Sequence, residues 1–213
     1  MTVRNVEHEG MLLIISGPSG AGKTTIVRSL QKILDAVFSV SMTTRPKSEK
    51  DVEGEDYFFV DEQAFFELRD KGQLLEWAEV FGNCYGTPRQ PVLDGMANGR
   101  LMILEIDVEG AIQVKNNMPE AYAIFILPPS EAQLLERLRL RGREDESVIQ
   151  RRYAQAKNEI KRAENCGIYD AFVINDDLDR AIDEACLCVN NELAKRQSTK
   201  SVWQTNTEQN DNQ

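Results

Sequence analysis

The residues Gly17-Pro18-Ser19-Gly20-Ala21-Gly22-Lys23-Thr24 follow the spacing G-x-x-x-x-G-K-[ST], and their types suit one task, the cradling of phosphate oxygens. Glycines let backbone N–H groups converge on an anion, and the start of a helix adds its positive dipole end. Lys23 can reach the outer phosphates, the Thr24 hydroxyl can bind a divalent cation such as Mg²⁺, and Thr25 follows in the same turn. A glycine-rich turn without function is the plain alternative, and the strand before and helix after the motif argue against it. A second candidate is the pair Arg137 and Arg141, four apart and hence on one helix face. Like charges so placed repel by a few tenths of a kcal/mol unless an anion lies between them. No nucleophile is paired with a base, and the only histidine is His8 near the start. Covalent catalysis is therefore disfavoured, and positioning with charge stabilisation is favoured.

Such residues need a frame. Met11 to Ser16 (MLLIIS) is a short apolar run bounded by Gly-Pro, which reads as a buried parallel-type strand. From Thr24 to Leu34, the residues Ile26, Val27, Leu30, Ile33 and Leu34 recur at helical spacing. Further strands are expected at Leu101 to Ile106, Tyr122 to Leu127 and Ala171 to Ile174, followed by helices at Val108 to Lys115, Ser130 to Leu140 and Leu178 to Leu193. The alternation implies a parallel α/β sheet with helices on both faces. Two stretches break it. Between Phe38 and Arg89 lie Tyr57 to Val60, a helix-like Glu62 to Asp70 and a strand-like Gln73 to Val80, which read as an inserted α+β lobe. Arg137 to Arg152 is so heavily charged that it reads as lying outside the core. Arg139, Arg143 and Arg151 in it are expected to be solvated or paired with Glu144, Asp145 and Glu146. From Gln197 onward the chain is polar without apolar period and is expected to be disordered.

Composition sets limits on partners. The 213 residues are 41% hydrophobic, enough for one sizeable core. Twenty-five basic against 35 acidic side chains give a formal charge of −10, which argues against nucleic-acid binding and requires any anionic ligand to be held by a local cluster. No apolar run approaches the roughly 18 residues of a membrane span, and the start lacks the layout of a signal peptide, so a soluble, cytoplasmic protein is expected. Four cysteines without Cys-x-x-Cys spacing read as free thiols.

Several further motifs discriminate. Ser41-Met42-Thr43-Thr44-Arg45-Pro46, Gly54 to Val60 (GEDYFFV), Glu76-Trp77-Ala78-Glu79-Val80 and Gly82 to Thr87 (GNCYGT) occur in this order. They are followed by Leu104 to Ala111 (LEIDVEGA), Ile126 to Ser130 (ILPPS), Arg141-Gly142 and Val173 to Asp177 (VINDD). In order and spacing the chain resembles the guanylate kinase family over roughly residues 11 to 190. The resemblance implies a single unit, 1–213, with a phosphate-loop core at about 10–37, 93–136 and 160–195. It adds a GMP-binding lobe at about 38–92 and a short helical lid at about 137–159, before a polar tail at about 196–213.

The same resemblance implies Mg²⁺-dependent transfer of a phosphoryl group from ATP to GMP, a step of guanine nucleotide synthesis and recycling. Arg45 with the hydroxyls of Tyr57 and Tyr85 would hold the GMP phosphate, and a guanidinium fork with two phenols suits a dianion. Ser41, Glu76 and Thr87, with Gly86 beside them, would read guanine. A carboxylate can accept both the N1–H and the exocyclic amine of guanine, a donor pair that adenine lacks. Asp107, after the third apolar strand, takes a Walker-B-like place near Mg²⁺ and the phosphates together with Thr24. Glu105 stands where relatives carry an acid facing the acceptor. Lys23, Arg137, Arg141 and Arg152 would neutralise the transferring group, and Asn175 would lie near adenine. A monomer or homodimer is expected, and dGMP is a candidate second acceptor.

One position departs from the family pattern. Three residues after Arg45, where relatives usually carry a second phosphate-binding arginine, stands Ser48, flanked by Lys47 and Lys50. Either a neighbouring lysine replaces the missing charge or GMP binds more weakly. Two other readings stand beside the kinase. A non-catalytic scaffold module would bind phosphorylated partners but typically has a degraded phosphate loop, which here is intact. A kinase for dTMP or AMP would lack the set Ser41, Glu76 and Thr87.

Overall fold

A computed structural model describes residues 10–141 and 145–210, with side chains for 10–140 and 145–198. Its centre is β1 (Met11–Ser16), buried at every position. β2 (Val37–Phe38), β7 (Leu101–Glu105), β8 (Tyr122–Leu127) and β9 (Ala171–Ile174) complete a parallel five-stranded sheet in the order β2-β7-β1-β8-β9. The side chains of β1 alternate between two covered faces, as a strand's period of two demands. Met11, Leu13 and Ile15 pack with Ile26 and Leu30 of α1 (Lys23–Ile33) and with Ala181, Ala185 and Val189 of α7 (Leu178–Asn210). Leu12 and Ile14 pack with Val92 of α3 (Arg89–Ala97) and with Ala111 and Val114 of α4 (Val108–Asn117). The parallel sheet covered by helices on both faces is as the sequence leads one to expect.

The inserted lobe is a second, mixed sheet. β3 (Met42–Thr43), β4 (Phe58–Phe59), β5 (Leu74–Val80) and β6 (Asn83–Pro88) lie in the order β4-β3-β6-β5, with α2 (Glu62–Asp70) laid against them. Asp61 caps α2 by accepting from the Ala64 N–H at 2.7 Å. The hairpin β5–β6 turns through Phe81 and Gly82, both at positive φ (51° and 76°), as a two-residue turn compatible with the strands' twist requires. The lobe's own core is small: Met42, Phe65, Leu74 and Cys84.

Two expectations need correction. The charged stretch Arg137 to Arg152 is not excluded from a core. It spans the end of α5 (Glu131–Arg141) and the start of α6 (Glu146–Cys166), and Leu138 and Ile149 are buried with Leu134 and Ala156 between the two helices. The apolar stripe is thin and the charges around it hide it. On the outside, Arg139 pairs with Glu146 at 2.6 Å. The second correction is at the C-terminus, where α7 continues to Asn210 rather than giving way to a disordered tail near 196. From Ile168 onward the sequence holds no glycine or proline to stop a helix. Among the described residues no helix is long and apolar enough to cross a membrane, and His8 lies outside them.

Candidate functional site

The phosphate-loop motif joins β1 to α1 at the carboxyl edge of the parallel sheet, the edge where such sheets bind ligands. Gly22 is the residue before α1 and has φ 94°. A side chain there would meet both that left-handed backbone and the Asn175 amide, which fills the space. Asn175 donates from Nδ2 to the Ala21 carbonyl at 2.7 Å, and its own carbonyl accepts from Arg137 Nη2 at 2.9 Å. The structure thus gives Asn175 a buried place against the loop, bracing its backbone. Lys23 curls over the loop, donating from Nζ to the carbonyls of Gly17 at 2.5 Å and Pro18 at 3.1 Å. From the helical pair, Arg152 donates to Ser19 Oγ at 2.8 Å, while Leu134 and Leu138 stand at van der Waals distance from where a Gly20 side chain would begin. Arg152 of α6 thus reaches the loop itself, and Arg137 of α5 reaches the Asn175 that braces it. Arg141 ends α5, and its side chain lies outside the described ones. Thr25 lies in the first turn of α1, its N–H donating to Gly22.

Thr24 Oγ1 donates to Glu105 Oε1 at 2.7 Å, across the neighbouring strand ends of β1 and β7. Glu105 thus ends its core strand with its carboxylate on the Thr24 hydroxyl. Asp107 caps α4, its Oδ1 accepting from the Gly110 N–H at 2.8 Å. The Thr24 hydroxyl and the two carboxylates form a set of hard oxygens at one strand edge. That donor chemistry suits Mg²⁺.

The lobe assembles the other expected set. β3 and β6 pair Thr43 with Tyr85 and Met42 with Gly86, and the Phe58 N–H donates to Ser41 at 2.9 Å. The Tyr57 and Tyr85 rings stand 5.7 Å apart edge to face, with the Arg45 guanidinium 5.6 Å from the centre of Tyr57. Two residues on from Tyr85 along β6, Thr87 donates to Glu76 Oε1 at 2.6 Å. Gly86 serves this arrangement by close packing, since a side chain would come within 2.9 Å of the Glu76 carbonyl and 3.2 Å of Phe65.

The chain thus combines a phosphate-loop motif with an arginine bonded to it and a lobe that carries Arg45 beside Tyr57 and a buried carboxylate, Glu76. The family model for guanylate kinase matches residues 9–191. The chain belongs to the guanylate kinase family. It is 47% identical to the guanylate kinase of Carboxydothermus hydrogenoformans over 83% of this chain and 86% of that one. It is 48% identical to that of Thermosynechococcus vestitus over 81% and 90%. Among solved structures, the guanylate kinase of Anaplasma phagocytophilum matches with a TM-score of 0.63 at 32% identity, over 86% of each chain.

Within this family frame Glu76 stands out electrostatically. It is 8% exposed, and burial pushes its carboxyl up to about 7. The Thr87 hydroxyl pulls the other way and the Asp107 charge pushes further up. Glu76 Oε2 reaches the start of α4, 3.1 Å from where a Gly110 side chain would begin, so the lobe's carboxylate abuts the core's Asp107 turn. Sequence reasoning missed two acids. Glu159 of α6 is raised by burial and lowered again by Lys23 nearby. It lies two turns beyond Arg152 on the same helix face, a signal visible only once α6 is read as a helix. The other is Asp51, which grips Arg45.

Proposed function

We propose that this guanylate kinase family member transfers the γ-phosphoryl group of ATP to the phosphate of GMP, giving ADP and GDP. The observation that carries the reading is Glu76, buried and bonded to Thr87 at 2.6 Å, with Arg45, Tyr57 and Tyr85 clustered on the same small sheet. A carboxylate and a cation with two phenols on one sheet suit the base and the phosphate of one nucleotide. The carboxylate accepts the N1–H and amine of guanine, with Ser41 and Thr87 beside it, and the basic cluster takes the phosphate. Adenine would leave the buried Glu76 carboxylate without the two base donors, a cost of several kcal/mol. dGMP is a candidate second acceptor.

Thr24 and Asp107, with Glu105 behind Thr24, would hold Mg²⁺, which when bound neutralises and orients the ATP phosphates. The chain's own residues do the rest. The loop of Gly17 to Thr24 with Thr25 receives the phosphate chain, and Asn175 keeps that loop in place. Lys23, Arg137, Arg141 and Arg152 supply positive charge for the phosphoryl group in transit. An oxygen of the GMP phosphate forms a bond to the γ-phosphorus as the bond to the β–γ bridging oxygen breaks, and that electron pair leaves on ADP. Closure of the lobe (38–92) and of the lid (137–159) over the core excludes water, which would otherwise compete as acceptor.

The test is ADP formation from ATP and Mg²⁺ with GMP, dGMP, AMP, dTMP, CMP and UMP offered separately, and Lys23→Ala as the blank. Strong preference for GMP, lost in the variant by about a hundredfold or more, is expected. Turnover with another base would move the assignment to a different monophosphate kinase. GMP binding without turnover would make the lobe a binding module.

A further inference from the structure

Arg45 is the cation of the acceptor-phosphate cluster proposed above, and its fork is engaged. Nη1 donates to Asp51 Oδ2 at 3.0 Å and Nη2 to Asp51 Oδ1 at 3.1 Å, a two-point pairing of a planar cation with both oxygens of one carboxylate. Nη1 also donates to the Pro46 carbonyl at 3.2 Å. Asp51 is aimed by its own loop: the Ser48 N–H donates to Oδ2 at 2.7 Å, and the Asp51 N–H donates back to the Ser48 carbonyl at 3.1 Å. This turn is therefore built to present a carboxylate to Arg45. Arg45 also stands 5.6 and 5.5 Å from the centres of the Tyr57 and Phe59 rings, and with the hydroxyls of Tyr57 and Tyr85 it is the group expected to receive phosphate. Lys47, the nearest candidate replacement for the charge missing at Ser48, stands 5.8 Å from the Phe59 ring and 3.9 Å from Glu53.

A phosphate and a carboxylate offer the same pair of oxygens to a guanidinium. We propose that Asp51 is an internal stand-in for the acceptor phosphate, resting on Arg45 until GMP arrives and displaced by it, so that Asp51 sets the affinity for acceptor. This rests on the GMP-kinase reading and deepens it. The Arg45 guanidinium and the Ser48 contacts hold the Asp51 carboxyl well below the usual carboxylate range. Asp51 therefore stays ionised across the neutral range, and an arriving anion, not a proton, displaces it. Both partners keep solvent contact, with side-chain exposures of 30% and 16%, so the exchange can occur without opening a core. The occupied Arg45 and the absent charge at Ser48 act together: acceptor affinity is held low until a dianion with a guanine attached outcompetes a single carboxylate.

The experiment compares the native chain with Asp51→Asn and Asp51→Glu in steady-state kinetics. A neutral amide keeps an acceptor for the Ser48 N–H and removes the competing charge. KM for GMP is expected to fall about fivefold in Asp51→Asn, the scale of a partly exposed ion pair. KM for ATP and kcat should be unchanged, and Asp51→Glu should return KM toward the native value. A rise in KM for GMP would overturn the proposal and make Asp51 a residue that orients Arg45, and an unchanged KM would also overturn it. Inorganic phosphate binding, read by NMR shifts of the Tyr57 and Tyr85 rings, supplies an arm independent of turnover. Phosphate should bind more tightly to Asp51→Asn by the same factor. If the native chain does not use GMP, that arm still decides the role of Asp51, so the two readings fail separately.

Discussion

The parallel-sheet core and the inserted lobe position their proposed ligand residues by different means. The phosphate loop is one unbroken stretch, Gly17 to Thr24, fixed at both ends by β1 and α1, whose apolar residues belong to the main core. The acceptor residues come from Ser41 to Thr87 and are brought together by a mixed sheet in which two strands have only two residues each. That sheet rests on a core of Met42, Phe65, Leu74 and Cys84. The donor site is rigid by covalent continuity, while the acceptor site is only as firm as a small cluster. The lobe is therefore the part that can yield and close, and the part that a single truncation can undo.

Phe65→Ala tests this contrast most severely. Phe65 is 0% exposed and lies against the strand that carries Tyr85, Gly86 and Thr87. Truncating a buried phenylalanine costs about 3–5 kcal/mol, which is large for so small a core. GMP binding should be lost by calorimetry while ATP binding stays within about twofold of native. Loss of both ligands together would show that lobe and core melt as one unit, and survival of GMP binding would show the lobe to be sturdier than its core. Leu13→Ala, in the centre of the main sheet, should weaken both ligands by unfolding the whole chain.

The second test concerns the charge that the lobe buries. Glu76 has an ordinary value of 4.5 and is pushed up to about 7 in the folded chain. Between these values the folded state holds a proton that the unfolded state has released. Stability from this group is therefore full below pH 4.5 and declines as pH rises through 7, by on the order of 3 kcal/mol in total. Glu76→Gln carries no such titration, so the melting temperature of the variant relative to the native chain should climb between pH 5 and 8. Guanine recognition runs the opposite way, because only the ionised carboxylate accepts both donors. Affinity for GMP should tighten in the native chain as pH passes 7. The variant shares the titration of the GMP phosphate but not that of the protein, so the difference between the two isolates Glu76. Parallel pH profiles would mean that Glu76 does not contact the base.

The same division governs what could be read without coordinates. The phosphate loop was legible because its chemistry is contiguous and flanked by an apolar strand and an amphipathic helix. The acceptor residues were legible only as family motifs. Nothing in the local pattern around Tyr57, Glu76 or Tyr85 distinguishes a ligand contact from an ordinary strand position. Only part of α6 falls within the helical lid that the family motifs imply at about 137–159, because its buried stripe is Ile149, Ala156 and Ala163, one residue every two turns among charges and two of them no larger than alanine. Without α6 read as one helix, Glu159 could not be placed beside Lys23. Asp51 was hidden for another reason: it sits in an irregular loop six residues from Arg45, and no periodicity connects the two.

A smaller effect than either of these tests how the lobe manages with one arginine where relatives usually have two. Ser48 supplies the N–H that steadies Asp51, and an arginine side chain at that position would add a second cation beside the Asp51 carboxylate. In Ser48→Arg, Asp51 has two partners to divide itself between, so Arg45 is more readily released to phosphate, and the new guanidinium can contact phosphate as well. KM for GMP should fall about tenfold, the scale of one charged hydrogen bond, with KM for ATP unaltered because the donor site lies on the other part of the molecule. If Lys47 already supplies the missing charge, Ser48→Arg will change little, and Lys47→Ala alone will raise KM for GMP. The two variants thus distinguish an acceptor site that is short of charge from one that has been rebuilt around a lysine. A change confined to KM for ATP would contradict the separation of donor and acceptor sites on which the whole comparison depends.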